Sequence, residues 1–352
     1  MLPQKACYWT NNGSFFRSRR PVATILLAGN FLNGGGSLVW GFGTLQLFSG
    51  LAGFLIRAVE FGKKAYIYPV FDQSDTNARA PGLFTFLLTI EDMGLVISLL
   101  NHKGGVGKTT CAINIGAGLV ELGKKVLLID MDPQANLTLS LGIPRHPITV
   151  YESIRGEAPL VPYAAKDGLD VVISSLDLSG AELELINEAG REYLFRELLD
   201  PFRDSYDYIL VDCPPSLGLL TLNALTASDL VYIPLQTEFL ALQGLTKIKQ
   251  VIDKVKIRLN KDIRIGGVIA TMYDSRKVLN RDVVNTIIKY FGEMVFKTMI
   301  RDNIALAEAP SKRMDIFAYS PQSPGAEDYI SLCREILERT SSEALSVKYM
   351  ER

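Results

Sequence analysis

Ten residues near the middle of the chain constrain its fold more than any others. Gly94–Leu100 is a continuous apolar run of strand length. It leads into the glycine-rich loop Asn101–Thr110, and Cys111–Leu119 then continues with helical spacing. A strand that is apolar throughout reads as buried on both faces, as in a parallel sheet. Strand, glycine loop and helix start, in that order, make the setting of a phosphate-binding loop, because loop amides and the helix N-terminus point at an anion. Gly104, Gly105 and Gly107, with Val106 between them, let main-chain N–H groups converge on phosphate oxygens without Cβ clashes. Lys108 has the reach for β- and γ-phosphates, the Thr109 hydroxyl is placed to ligate Mg²⁺, and Thr110 is placed for the α-phosphate. The usual G-x-x-x-x-G-K-[ST] pattern is not met, since His102 stands at its first glycine. A second lysine, Lys103, stands five residues before Lys108 instead.

Two further carboxylate-bearing strands follow. Lys125–Asp130 runs into Met131-Asp132-Pro133-Gln134-Ala135-Asn136-Leu137-Thr138, and Tyr206–Asp212 runs into Cys213-Pro214-Pro215-Ser216. A carboxylate at the C-terminal end of a strand beside a phosphate loop is placed to hold Mg²⁺ through water, and Asp212 is the candidate. Asp130 is open between supporting the Mg²⁺ shell and capping the turn. Strands are also expected at Leu169–Ile173, Leu230–Leu235, Ile265–Met272 and Val295–Ile300, and helices at about 191–202, 239–258, 280–291 and 325–345. Residues 142–168, with four prolines, read as a looser connection. The alternation predicts an α/β domain: a doubly wound, mostly parallel sheet with helices on both faces and the site at the strand C-termini.

The stretch Lys103–Thr110 resembles the deviant Walker A motif of the ParA/MinD family of P-loop ATPases. The segment Asp130–Asn136 resembles the D-x-D-P-Q-x-N stretch of its ParA/Soj branch, and Asp212–Leu225 resembles that branch's switch II region. The resemblance spans residues 93 to about 340. It implies ATP and Mg²⁺ as cofactors, with Lys103 reaching across an ATP-dependent homodimer and Lys108 on the phosphates. It also implies that Asp132 is the aspartate needed for hydrolysis. Non-specific DNA binding through the position of Arg276, a ParB-like stimulating partner and a nucleoid-associated cytoplasmic location follow from the same likeness. A second DNA-contacting arginine of the family falls on Ala305, a departure for which Arg301, or Lys312 and Arg313, are the candidates to compensate. No helix-turn-helix precedes the domain. A MinD-like membrane-surface ATPase and a positioning ATPase for a non-DNA cargo are the alternatives. An iron–sulfur reductase with the same loop is unsupported, because Cys111 and Cys213 fall in the phosphate helix and switch II.

Composition separates residues 93–352, the ATPase-like domain, from residues 1–92. The first 92 hold 15 of the 32 aromatics, both tryptophans and 11 of the 29 glycines, and carry 8 basic against 5 acidic groups. The other 260 residues are mildly acidic, although the whole chain has a formal charge of -1. Bulk charge therefore does not account for nucleic-acid binding, which needs a local basic patch. Pro21–Ile56 is a 36-residue run without charge, flanked by Arg17, Arg19 and Arg20 but broken by eight glycines. Three readings of residues 1–92 stand open: a misassigned start with Met93 as the true one, a membrane-associated extension inserted through 21–56, or a small accessory region. Four dispersed cysteines and two histidines exclude a disulfide scaffold and a multi-histidine metal site, and fit a reducing cytoplasm.

Overall fold

The chain divides into two compact units, Met1–Met93 and Gly94–Arg352. The computed structural model describes residues 93–238 and 241–341. The readings made of residues 1–92, the uncharged run at 21–56 included, lie outside the described residues.

The second unit is built on a seven-stranded sheet. Its strands are β1 (Leu95–Leu99), β2 (Val126–Asp130), β3 (Tyr163–Lys166), β4 (Leu169–Val172), β5 (Tyr208–Asp212), β6 (Leu230–Gln236) and β7 (Arg264–Thr271). Their spatial order is β3-β4-β2-β5-β1-β6-β7, and every pairing is parallel except β3 with β4. The central strands are apolar at nearly every position because both faces are covered. Val96, Leu127, Ile129, Ile209, Val211 and Val231 enter one core, and Ile97, Leu128, Leu210 and Tyr232 enter the other. The polar Ser98 in β1 is buried, and its hydroxyl bonds that of Ser228 at 2.7 Å.

Helices cover each face. On one side lie α3 (Val150–Ile154), α4 (Leu178–Glu184), α5 (Leu194–Leu199), α6 (Leu219–Ala227), α7 (Ala241–Arg258) and α8 (Val278–Phe291). On the other lie α1 (Lys108–Glu121), α2 (Asn136–Ser140), α10 (Ile316–Tyr319) and α11 (Pro324–Thr340). The short α9 (Ile304–Glu308) precedes α10. This is the expected doubly wound sheet. Among the described residues no helix is long and apolar enough to cross a membrane.

Two expectations need correction. Val295–Ile300 is no strand: it runs beside β7 with scattered bonds, such as Phe296 N to Val268 O at 3.0 Å, and makes isolated bridges at Val295 and Arg301. The Phe296 ring turns inward over Gly267 and meets Tyr232 edge-on, 5.2 Å between centroids, which keeps the segment off a continuous ladder. The connection 142–168 is also more ordered than its prolines suggest. It contains α3, with a Thr149–Glu152 capping box, and the antiparallel edge strand β3.

Two substitutions test the packing around the sheet. A Cβ on buried Gly94 would lie 2.5 Å from the Tyr206 carbonyl oxygen and 2.8 Å from that of Arg203. Gly94→Ala should therefore destabilise by about 1–3 kcal/mol, seen as a Tm about 2–10 °C lower. Ala135, at the N-cap of α2, holds a left-handed φ of 52°. That conformation costs an L-residue about 1–2 kcal/mol, partly offset by the greater unfolded-state freedom of glycine. Ala135→Gly should raise stability by roughly 0.5–1 kcal/mol in a denaturant titration.

Candidate phosphate-loop site at the strand ends

The C-terminal ends of β1, β2 and β5 meet at one place, and the candidate residues gather there. Asn101 anchors the loop that leaves β1. Its side chain donates to the Pro234 carbonyl at 2.7 Å and accepts from the Lys103 amide at 3.0 Å. Gly105 and Gly107 take left-handed φ values of 74° and 89°. Nothing lies within 4 Å of a Cβ built on Gly104 or Gly105, so the loop's inner wall is open main chain, the shape of an anion cradle. The Thr271 hydroxyl, at the end of β7, ties down the loop by donating to the Val106 carbonyl at 2.9 Å. Sequence reasoning missed Asn101 and Thr271, because a loop's hydrogen-bond partners have no periodic signal.

Lys108 and Thr109 open α1, with Thr110 behind them. The Lys108 ammonium is folded over the loop, 3.4 Å from the Lys103 carbonyl, with the residue only 7% exposed. The Thr109 hydroxyl donates to Asp212 Oδ2 at 2.6 Å. With its proton committed to the carboxylate, that hydroxyl keeps lone pairs free to face a cation. Asp212 Oδ1 is buried and has no hydrogen-bond partner. Burial first, and the neighbouring Asp130 second, push the Asp212 carboxyl up to about 8. A hydroxyl oxygen and an orphaned carboxylate oxygen beside a phosphate cradle fit Mg²⁺, which takes few protein ligands and keeps phosphate and water for the rest.

Asp132 sits in a tight turn after β2 and is 8% exposed. Its Oδ1 accepts from the Gln134 amide at 3.0 Å, and its carbonyl accepts from the Ala135 amide at 2.9 Å. Asp130 is fully buried, pushed up to about 6 by burial, and spends its oxygens on main-chain and hydroxyl donors of this same turn. Of the two roles open to Asp130, the structure shows the turn-capping one. The outer side of the turn borders a cavity of about 630 Å³ lined by Pro133, Gln134, Thr138, Arg145, Ser174 and Leu176, among others.

Lys103 points away from Lys108. Its ammonium contacts Glu238 at 2.5 Å and lies 3.5 Å from Gln236, in the segment that follows β6. Both partners of the ion pair are half-exposed, so the contact is weak. Lys103 is thus near its own loop but directed to its rim.

The basic residues are arranged differently from expectation. Arg276 is 89% exposed, but its guanidinium forms a two-pronged pair with Asp274, at 2.9 and 3.0 Å, within the same turn. Hydrogen bonds from Arg276 pull the Asp274 carboxyl down to about 2. Arg301, about half exposed, is bound to Asp328 and Glu327 and to the Pro324 carbonyl. The period of α7 is readable in the sequence: it buries Leu245, Ile248, Ile252 and Val255 and exposes Lys247, Lys249, Lys254, Lys256 and Arg258 along its two flanks, with Lys249 paired to Asp253 at 2.7 Å. Cys111 and Cys213, whose positions gave no support to a cluster, are buried thiols pushed up to about 12 by burial.

Comparison with known proteins places this geometry. A family model described as an AAA domain matches residues 94–265. The chromosome-partitioning ATPase Soj of Treponema pallidum is 46% identical over 250 residues, covering 70% of this chain and 98% of that protein. The sporulation initiation inhibitor protein Soj of Bacillus subtilis is 45% identical over 249 residues, covering 69% of this chain and 98% of the relative. Among solved structures, cobyrinic acid a,c-diamide synthase from Mycobacterium smegmatis with bound ATP analog and magnesium is similar at TM-score 0.63 and 35% identity. That likeness covers 71% of this chain and 97% of the other. Identity near 45% across almost the whole length of the Soj proteins, over a phosphate loop, a D-x-D-P turn and a strand-end aspartate, assigns the family: the chain belongs to the ParA/Soj family of partitioning ATPases.

Proposed function

We propose that residues 93–352 form a Mg²⁺-dependent ATPase that drives chromosome or plasmid segregation. In this reading ATP closes a homodimer, the dimer binds DNA without sequence preference, and a ParB-like partner stimulates hydrolysis. The observation that carries it is the convergence of the Gly104–Thr110 cradle, the Thr109–Asp212 pair and the Asp132 turn at the ends of three adjacent strands. The same residue types hold phosphate and metal in phosphoryl transfer, where positioning and charge stabilisation supply most of the catalysis.

The main-chain amides of Gly104–Thr110 and the Lys108 ammonium bind the triphosphate. The Thr109 hydroxyl and, through water, Asp212 would hold Mg²⁺, which would supply charge neutralisation at the phosphates. Asp132 orients the attacking water. Lys103 leaves Glu238 and reaches the nucleotide of the second subunit, so that the site is complete only in the closed dimer. Hydrolysis by the separate chain is slow for that reason, and loss of the γ-phosphate removes the contacts that hold the dimer. Arg276 and the cations near it, Lys277, Arg281 and Lys289, form the DNA patch in this reading. Its net charge per chain is reduced by the Asp274 pairing, which leaves the summed surface of two chains to supply the attraction.

Lys108→Ala should abolish ATP binding, measured by the loss of a fluorescent-nucleotide titration. Asp132→Ala should bind ATP with unchanged affinity, hydrolyse it at least about 100-fold more slowly and accumulate as dimer on DNA. Normal turnover by Asp132→Ala would remove that residue from the chemistry. DNA co-sedimentation with ATP should weaken at least 10-fold between about 50 and 200 mM salt, as counterion release requires. ATP-dependent capture on anionic liposomes without capture on DNA would favour the membrane-surface alternative.

A further inference from the structure

We infer that Thr138 is a positioning residue for hydrolysis: it clamps the turn that carries Asp132 between the end of β2 and the loop after β4. This rests on the reading of Asp132 as the residue that orients water.

Thr138 lies at the far end of the turn, six residues beyond Asp132, and is 6% exposed. Its amide donates to Asp130 Oδ2 at 2.9 Å, and its hydroxyl donates to the same oxygen at 2.7 Å. The hydroxyl oxygen accepts in turn from the Ser174 amide at 3.1 Å. The other Asp130 oxygen, Oδ1, accepts from the Asp132 amide at 3.3 Å. One buried carboxylate therefore holds both ends of the turn, and the Thr138 hydroxyl links that carboxylate to a third chain segment. Asp130 is itself fixed in register: in the parallel pairing of β2 with β5 it is the partner of Asp212.

Packing holds the far side of the turn through Leu137, which is fully buried in the core, but not its middle. Between the two anchored ends, Pro133, Gln134 and Ala135 face the cavity of about 630 Å³, and Ala135 is held in the left-handed conformation. Leu139, just past the turn, is 64% exposed, and Leu176 on the opposite wall is 68% exposed. With open space outside its middle, the turn's position depends on these hydrogen bonds as well as on the buried Leu137. Bonds to a charged acceptor are the strong ones, and a shift of about 1 Å in a water-orienting group is enough to slow a reaction about 100-fold. None of these contacts involves the phosphate loop, so nucleotide affinity does not depend on them.

The test is steady-state Mg²⁺-ATP hydrolysis by the full chain carrying Thr138→Val, Thr138→Ser or Asp132→Ala, with amide hydrogen exchange of residues 134–138. Valine keeps the shape and removes the hydroxyl. It should lower kcat about 10- to 100-fold with the KM for ATP within about 2-fold of the parent, and should speed exchange in the turn about 10-fold or more. Serine restores the hydroxyl and should keep kcat within about 3-fold of the parent. If the valine variant does not accumulate folded, Thr138→Ala is read by the same criteria. Parental kcat and parental exchange in Thr138→Val would overturn the inference, as would a KM rising in step with the fall in kcat. The Asp132→Ala arm separates the two failures. An active Asp132→Ala sinks the underlying reading, whereas an inactive one beside a normal Thr138→Val sinks only the role of Thr138.

Discussion

The arrangement depends on one carboxylate. Asp212 ends the central strand β5, is 1% exposed, gives one oxygen to the Thr109 hydroxyl and has none of its own kind of partner for the other. A buried carboxylate pushed up to about 8 gains most from a cation brought beside it. Its neighbours make sense from there. Strand pairing sets Asp130 in register with it and Leu99, at the root of the phosphate loop, on its other side. The loop glycines provide amides for an anion, and the anion and the cation each make the other's presence favourable. Burial and the neighbouring Asp130 disfavour a charge on Asp212, and in the proposed function Mg²⁺ offsets that penalty.

Much of this was legible in the sequence, for a physical reason. A strand buried on both faces must be apolar along its length, so β1, β2, β5 and β6 announce themselves, and a loop that cradles phosphate needs glycines where φ is positive. Gly105 and Gly107 meet that need. What sequence missed lies where tertiary contacts decide. Val295–Ile300 has the composition of a strand, but the Phe296 ring over Gly267 holds it off the ladder. The edge strand β3 is too short and mixed to show a period. Asn101, Thr271 and Thr138 are ordinary polar residues in sequence and acquire roles only from partners 133, 165 and 36 residues away.

Charge is the other place where sequence and structure part. Sequence counts Arg276 and Arg301 as free cations, but each is bound to a carboxylate from its own chain. Of the five exposed cations of α7, Lys249 is likewise paired, with Asp253. Lys103 shows the same economy: in the single chain its charge is met by Glu238, and the residue is free for another role only when that contact is given up.

In the proposed function Lys103 works across a dimer that ATP assembles. A crystal structure of the chain with a non-hydrolysable ATP analogue and Mg²⁺ tests it most directly. Two chains are expected face to face, with the Lys103 ammonium off Glu238 and within hydrogen-bond distance of the nucleotide phosphates bound to the partner. A nucleotide-loaded chain whose Lys103 remains on its own Glu238, with no second chain against the site, would contradict it.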